Sequence, residues 1–166
     1  MKHGGVAGGV LLRELAAVRR SIEAYPDDRS IWEERPGLPN AGGTLALHVC
    51  GNLRHNVGAV LGGSGYVRDR DAEFAARGVP RARILQTIDE ARAEVARALE
   101  ALPAERLTAP FPEPVAGRTV TTRDFLVHLA THLAYHLGQL DYHRRAVTGD
   151  ARSIGAVASA ELPADD

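Results

Sequence analysis

Cysteine is almost absent from this sequence, since Cys50 is the single cysteine among 166 residues. One cysteine cannot form an intrachain disulfide, which excludes a disulfide-stapled secreted scaffold and favours a reducing compartment. Cys50 also lies two residues from His48, which is roughly 200° around a helix, so the two side chains would point to different sides. We therefore interpret Cys50 as buried packing rather than as a nucleophile.

An excess of either charge is absent too. The 20 Lys and Arg residues are balanced by 21 Asp and Glu residues, which leaves a formal net charge of −1. There is consequently no basic field for nucleic acid and no polybasic patch for a membrane surface. No stretch approaches the roughly 20 apolar residues that span a bilayer. The apolar start of the chain is interrupted by Arg13 and Glu14, unlike a secretion signal. The sequence predicts a cytoplasmic protein without nucleic-acid or membrane partners.

Strand-like alternation of apolar and polar residues is also absent, and helical periodicity is present in its place. Four helices are predicted: residues 6–24, a second from a cap at Thr44 to the glycine pair 62–63, residues 80–102, and residues 121–146. A few long helices favour an all-α fold, an antiparallel four-helix bundle with long loops after the first and second helices. We assign residues 1–150 to the bundle and expect the C-terminal tail, 151–166, to be partly disordered.

Two of the predicted helices carry polar rows at helical spacing. The rows are His128, His132, His136 and His143 in the fourth helix, and His48, Asn52 and His55 in the second. Leucines share the face of the fourth helix, so we expect its histidines to point inward. An inward imidazole needs a hydrogen-bond partner, a metal ion or a ligand.

Two interpretations of these histidines remain open. A single buried histidine more often satisfies a hydrogen bond than binds a metal. Two imidazoles at i and i+4 can nevertheless share one ion, and a third from a facing helix completes a three-ligand site. Several histidines on two such rows favour the metal. Leu129 and Leu133 occupy the positions where zinc proteases carry their glutamate base, so a protease mechanism is not supported.

The stretches His48-Val-Cys-Gly-Asn-Leu-Arg-His55 and His132-Leu-Ala-Tyr-His-Leu-Gly-Gln139, with residues 62–74 between them, resemble the DinB/YfiT-like superfamily of metal-binding four-helix bundles. The resemblance covers essentially the whole chain in helix order and spacing. It implies that His48, His132 and His136 bind a divalent metal such as nickel or zinc, and that the protein is a homodimer. Leu137 stands where many members have arginine, so a role played by that arginine is not implied here.

Further residues are expected to support the ligands or to line the pocket around the metal. They are Asn52, His55, His128 and Tyr135. The charged segment 66–74 has two interpretations. It is either a solvated loop with internal ion pairs, or a lip over the pocket in which Arg68 or Arg70 clamps an anionic ligand.

Three neutral imidazoles would leave the ion at least one open position, where a thiol loses its proton by coordination. Some members of the superfamily are similar to enzymes that use low-molecular-weight thiols. We therefore predict a metal-dependent transferase that joins a small thiol to an electrophilic small molecule. A metal-dependent hydrolase and a non-catalytic metal-containing module, for small-molecule binding or stress response, remain as alternatives.

Overall fold

The protein is all-α in the part of the chain that the computed structural model describes, residues 5–161. Within that part there is no strand, and three isolated bridges occur in loops. The α-helices are α1 (Gly5–Glu23), α2 (Asp28–Ile31), α3 (Gly42–Leu53), α4 (Arg70–Ala75), α5 (Arg81–Ala101) and α6 (Thr122–Thr148). The all-α prediction is confirmed, and the four long helices are those predicted.

The ends of α6 follow from its capping residues. The hydroxyl of Thr121 accepts a hydrogen bond from the backbone N–H of Asp124 at 3.1 Å, which satisfies a free donor of the first turn. Gly149 ends the helix with a φ of 70°, a left-handed conformation that glycine adopts without strain. The helix therefore begins one residue later and ends two residues later than the predicted range 121–146.

The beginning of α3 corrects the predicted cap. Ala41 is the residue that precedes the helix, and Thr44 lies inside it with a buried hydroxyl that has no partner. The helix starts two residues earlier, at Gly42 and Gly43, which pack under large side chains. A Cβ at Gly42 would overlap the Tyr25 hydroxyl, and one at Gly43 would overlap the Trp32 ring.

The chain continues from α3 into a π-helical segment, Arg54–Leu61, which ends at Gly62. The predicted second helix thus has the expected extent but changes its hydrogen-bonding period midway. π-Helical turns are rare and frequently occur near functional sites. The two long predicted loops also contain α2 and α4, which are too short to show helical periodicity in the sequence.

The packing of the long helices forms one core. α1 and α3 each contact both α5 and α6, and the π-helical segment packs on α5. Apolar residues at helical spacing in the four predicted helices supply about half of this core: Leu11, Leu15, Val18, Ile22, Val49, Leu53, Val57, Ile84, Ile88, Ala91, Val95, Leu129, Leu133 and Leu140. Val60 and Leu102, at the same spacing, are only partly buried. None of the described helices is long and apolar enough to cross a membrane.

The described part of the predicted tail lies along α1 and the end of α6. Arg20 donates to the carbonyl oxygens of Ile154 at 2.9 Å and Gly155 at 3.2 Å. The buried guanidinium of Arg144 donates to the carbonyls of Asp150 and Arg152. Residues 1–4 and 162–166 lie outside the described residues. The division at residue 150 and the partial disorder of the tail stay predictions.

Candidate metal centre

Three histidines from two helices meet at one point. One ring nitrogen from each of His48, His132 and His136 lies within 4.8 Å of the other two. The Nε2 atoms of His132 and His136 are 3.1 Å apart. A tetrahedral ion with bonds of about 2.1 Å would hold two such atoms about 3.4 Å apart. The structure therefore brings together the three predicted ligands in an arrangement that could hold a metal ion.

Helix geometry explains why these three side chains meet. His132 and His136 are four residues apart, so they lie one above the other on α6. Leu129 and Leu133 are almost completely buried, and they fix that side of α6 against the core. His48 comes from α3, which packs on α6. The triad consequently sits between two helices whose positions are set by the core.

The environment keeps two of the imidazoles neutral. Burial lowers the pKa of His132 to about 4, with further lowering by the neighbouring His136 and His48. Burial also lowers the pKa of His136, although the hydrogen bond with Gln139 opposes that shift. Neutral imidazoles have a free lone pair near pH 7, which is the form that binds a metal.

Two side chains orient the rings through the nitrogens that face away from the triad. His48 Nδ1 lies 3.2 Å from Oε2 of Glu73, and His136 Nδ1 lies 2.7 Å from Oε1 of Gln139. An oxygen acceptor requires an N–H, so we assign the proton to Nδ1 in both rings, which leaves Nε2 free. Neither Glu73 nor Gln139 was predicted as a supporting residue. Gln139 could have been found from its i+3 spacing to His136, whereas nothing in the spacing points to Glu73.

The segment that follows the π-helix lies against His48 rather than free in solvent. Arg68 donates two hydrogen bonds of 2.8 Å to the carboxylate of Glu73. Its Nη2 atom also lies 3.2 Å from His48 Nδ1. Phe74 packs on the His48 ring with 4.8 Å between centroids, and the Arg70 guanidinium lies 4.8 Å from the centre of the Phe74 ring. Both arginines are thus near the triad, and the charge of Arg68 is already paired.

The other predicted pocket residues make no hydrogen bond to a triad nitrogen. Asn52 lies one turn beyond His48, and its side-chain oxygen is buried without a partner. His55 belongs to the π-helical segment, with Nε2 3.6 Å from a Glu113 oxygen. Tyr135 is 64% exposed on the outer side of α6. Their expected supporting roles stay predictions.

His128 faces solvent, which corrects the expectation that the whole row points inward. Its ring stacks on Phe125, with 5.8 Å between centroids, and lies 6.2 Å from the ring of His132. Each step of four residues turns a helix about 40° past a full circle. His128 is two such steps from His136, so it has rotated about 80° away from the interface with α3.

His143 is buried at a distance from the triad, and both of its ring nitrogens are in use. The Tyr25 hydroxyl donates to Nδ1 at 2.7 Å, and Nε2–H donates to the carbonyl of Glu33 at 2.8 Å. The histidine joins two residues of the segment between α1 and α3, Tyr25 and Glu33, to α6. For His143 the hydrogen-bonding interpretation is the one that the structure supports.

Cys50 is completely buried in the core. Burial raises the pKa of its thiol to about 12. A thiol that stays protonated near pH 7 is a poor nucleophile, so the structure agrees with the packing role inferred from the sequence.

A cavity of about 300 Å³ opens between the first loop and α6. Its lining consists of Gly37, Leu38, Pro39, Asn40, Leu45, Gly138, Gln139, Tyr142 and His143, none of which carries a formal charge near pH 7. Gln139 belongs both to this lining and to the triad, because its oxygen contacts His136. The cavity could not be read from the sequence, since its two walls lie about 100 residues apart along the chain.

Comparison with curated proteins and with solved structures finds no match. A family model described as the DinB superfamily matches residues 11–140. The matched region is well over half of the chain and includes α3, α5, most of α1 and α6, and the whole triad. The chain therefore belongs to the DinB superfamily.

Proposed function

We propose that the protein binds a divalent metal ion through His48, His132 and His136, and that it transfers a small thiol to an electrophilic substrate. The observation that carries this proposal is the meeting of three ring nitrogens within 4.8 Å. The lowered pKa values of His132 and His136 support it, because a protonated imidazole cannot bind a metal. Nickel and zinc are the ions we expect, since imidazole suits both.

The chemistry of the site favours a thiol over water as the attacking group. When bound, the ion would supply Lewis acidity that lowers the pKa of a coordinated thiol. Glu73 is the carboxylate in contact with the triad, and it is not free to act as a base. Burial alone would raise the pKa of Glu73, but hydrogen bonds from Arg68 and His48 outweigh burial and hold it below its usual value. A hydrolase would need a base for water, so hydrolysis is the weaker alternative.

The cavity lined by Gln139 is our candidate for the place where the small-molecule substrate binds. Its volume of about 300 Å³ is at the lower end of the range of ligand pockets. Its lining is uncharged, and both nitrogens of His143 are already hydrogen-bonded. A charged ligand would lose its hydration without gaining an ion pair. We therefore expect an uncharged, largely apolar substrate.

The arrangement of the helices and the oligomeric state are further parts of the proposal. α1 and α3 each pack against α5 and α6, which supports an antiparallel four-helix bundle. An experimental structure with adjacent long helices parallel would refute it.

Val127, Tyr135 and Tyr142 are at least half exposed along α6, and such a row supports a homodimer. A monomer mass at every concentration in sedimentation equilibrium would refute the dimer.

One observation favours a second function, a metal-containing module that binds a small molecule without catalysis, for example in a stress response. Arg68 is one of the two arginines proposed to clamp an anionic ligand in one of the two interpretations of segment 66–74, yet it is paired with Glu73. Because Arg68 is paired, Arg70 is the predicted arginine that remains as a candidate for binding an anionic group. The clamp stays a prediction. The cytoplasmic location also stays a prediction from the sequence.

Cobalt- or nickel-loaded protein separates the two functions. For the transferase, an added low-molecular-weight thiol should change the electronic spectrum of the metal, and loaded protein should conjugate a soft electrophile faster than metal-free protein. His132→Ala should remove both effects, whereas His128→Ala, on the exposed side of the same helix, should retain them. If no thiol changes the spectrum and conjugation is independent of metal, the transferase is wrong and the binding module leads.

A further inference from the structure

Glu73 is buried, although glutamate is rarely buried without a partner. Its Oε2 atom lies 3.2 Å from His48 Nδ1, and both carboxylate oxygens accept hydrogen bonds from Arg68. The residue comes from α4, a helix that packs on α3 beside His48. The hydrogen-bond partners of this carboxylate are therefore the Nδ1 atom of His48 and the guanidinium of Arg68.

Gly51 is the residue of α3 that makes room for Glu73. It lies three residues after His48, on the same side of the helix, and a Cβ there would overlap the Glu73 carboxylate. Glycine in a helix interior is less favourable than alanine. The cost is understandable here, because any larger residue would push the carboxylate away from His48.

Arg68 and Glu73 both contact the Nδ1 atom of His48, and they favour different protonation of that nitrogen. Its Nη2 atom lies 3.2 Å from Nδ1, so a guanidinium N–H could donate to an unprotonated Nδ1. In that arrangement the proton of the neutral ring would be on Nε2, and the nitrogen aimed at the triad would have no free lone pair. An ionised carboxylate can only accept, so Glu73 at 3.2 Å favours the opposite tautomer, with the proton on Nδ1.

We propose that Glu73 is the positioning residue that selects the Nδ1–H tautomer of His48 and directs its Nε2 lone pair into the triad. Arg68 holds the carboxylate in place by hydrogen bonds, and Gly51 leaves room for it because it has no side chain. Phe74, from the same short helix, packs on the ring and limits its rotation. The inference rests on the proposed metal site for its biological meaning, but the tautomer of His48 is a property of the metal-free protein as well.

The three ligands would then be oriented in different ways. His48 is held by a carboxylate and His136 by the neutral amide of Gln139. Among the described residues, the His132 ring has a hydrogen-bond contact with His136 alone. A carboxylate partner makes an imidazole more basic and a stronger metal donor than an amide partner does. Loss of Glu73 should accordingly weaken metal binding although Glu73 itself is not a ligand.

The tautomer is measured directly by long-range ¹H–¹⁵N spectra of the imidazoles in metal-free protein, at about pH 8 so that the rings are neutral. Wild-type protein should show His48 protonated at Nδ1. In Glu73→Ala, Arg68 is left to donate to Nδ1, so the proton should move to Nε2. The Kd for zinc should rise about 10- to 100-fold, the usual effect of losing a partner of a ligating histidine.

Glu113→Ala is the matched control, because Glu113 is also a glutamate near a histidine nitrogen, that of His55. It should change neither the His48 tautomer nor the zinc Kd. Gly51→Ala should reproduce the effects of Glu73→Ala in the wild-type background. It should add nothing in the Glu73→Ala background, where there is no carboxylate to displace. Circular dichroism should show that each variant remains helical.

The outcomes separate this inference from the proposed function. If His48 keeps its Nδ1 proton in Glu73→Ala, the inference is wrong. If the tautomer moves but the zinc Kd does not, Glu73 does not position a metal ligand and the inference also fails. If the tautomer moves as expected in a protein that binds no zinc, nickel or cobalt, the role of Glu73 at His48 is supported and the proposed metal function is overturned.

Discussion

Two parts of α6 carry buried or half-buried histidines on one helical row, yet the structure uses them in opposite ways. His132 and His136 are half-buried, and their Nε2 atoms face each other across 3.1 Å. His143, two turns further along, is almost completely buried and has a hydrogen-bond partner for each nitrogen. The first pair can hold a metal ion, whereas His143 has no lone pair to offer.

The difference between the two parts comes from their partners and not from their spacing. The Tyr25 hydroxyl and the Glu33 carbonyl, which use up the nitrogens of His143, come from residues at least 110 positions earlier in the chain. At His136, Gln139 occupies only Nδ1. A histidine is available as a ligand when its surroundings satisfy one nitrogen and leave the other free.

Loss of a triad histidine should have the largest effect. His132→Ala should raise the Kd for zinc more than about 100-fold, beyond the effect of losing a supporting residue, because only two ligands remain. Isothermal titration of metal-free protein measures it. The exposed His128→Ala is the control and should bind zinc as wild-type protein does. Stoichiometric metal in His132→Ala would place the site elsewhere, with His55 and His128 as the next candidates.

Loss of His143 should destabilise the fold and leave zinc binding almost unchanged. His143→Ala should lower the free energy of unfolding by about 2–5 kcal/mol, since it leaves a cavity and an unpaired Tyr25 hydroxyl in the core. Urea denaturation of metal-free protein measures it. The zinc Kd should stay within about threefold of wild type, because the site is distant and shares no partner. A large loss of zinc affinity in a folded variant would contradict the structural role.

A smaller change at the same place isolates one hydrogen bond. Tyr25→Phe removes the hydroxyl that donates to His143 Nδ1 and leaves that nitrogen buried without a donor. We expect the free energy of unfolding to fall by about 1–2 kcal/mol, with zinc binding unchanged. A variant as stable as wild type would mean that the 2.7 Å contact contributes nothing to folding.

The smallest expected effect is a change in pH dependence. Burial lowers the pKa of His143 in the folded protein, although its hydrogen bond to the Glu33 carbonyl opposes the shift. The unfolded chain therefore takes up a proton near pH 6.5 before the folded chain does, and stability decreases as the pH falls below about 6.5. His143→Gln removes that group, so its unfolding free energy should fall less steeply with pH. An identical slope in both proteins would refute this contribution.

The helices were predictable because their signals are local. Apolar residues recur at helical spacing over four long segments, and Thr121 and Gly149 mark the ends of α6. The start of α3 was not predictable from Thr44. Its first two residues, Gly42 and Gly43, lie so close to Tyr25 and Trp32 that neither has room for a Cβ, a contact that local spacing does not reveal. The π-helical segment and the short α2 and α4 were missed for a similar reason, since their hydrogen bonding is set by packing rather than by periodicity.

The triad was suggested by spacing within α6 and by the resemblance that pointed to His48, and the structure brings these residues together. The same spacing gave a wrong orientation for His128, because helical drift over eight residues carries it out of the interface. Asn52, His55 and Tyr135 were reasonable neighbours by their positions, but the hydrogen bonds to the triad come from Glu73 and Gln139.

By itself the sequence determined the all-α class, the approximate extents of the long helices, the apolar rows of the core and the pairing of His132 with His136, since each depends on residues within a few turns of one another. The tertiary structure alone decided which histidine nitrogens are free, that Glu73 reaches His48 through the gap at Gly51, and that an uncharged cavity adjoins Gln139. These features join segments far apart in the chain, and the physical reason is that a hydrogen bond or a cavity depends on distances that only the packed helices set.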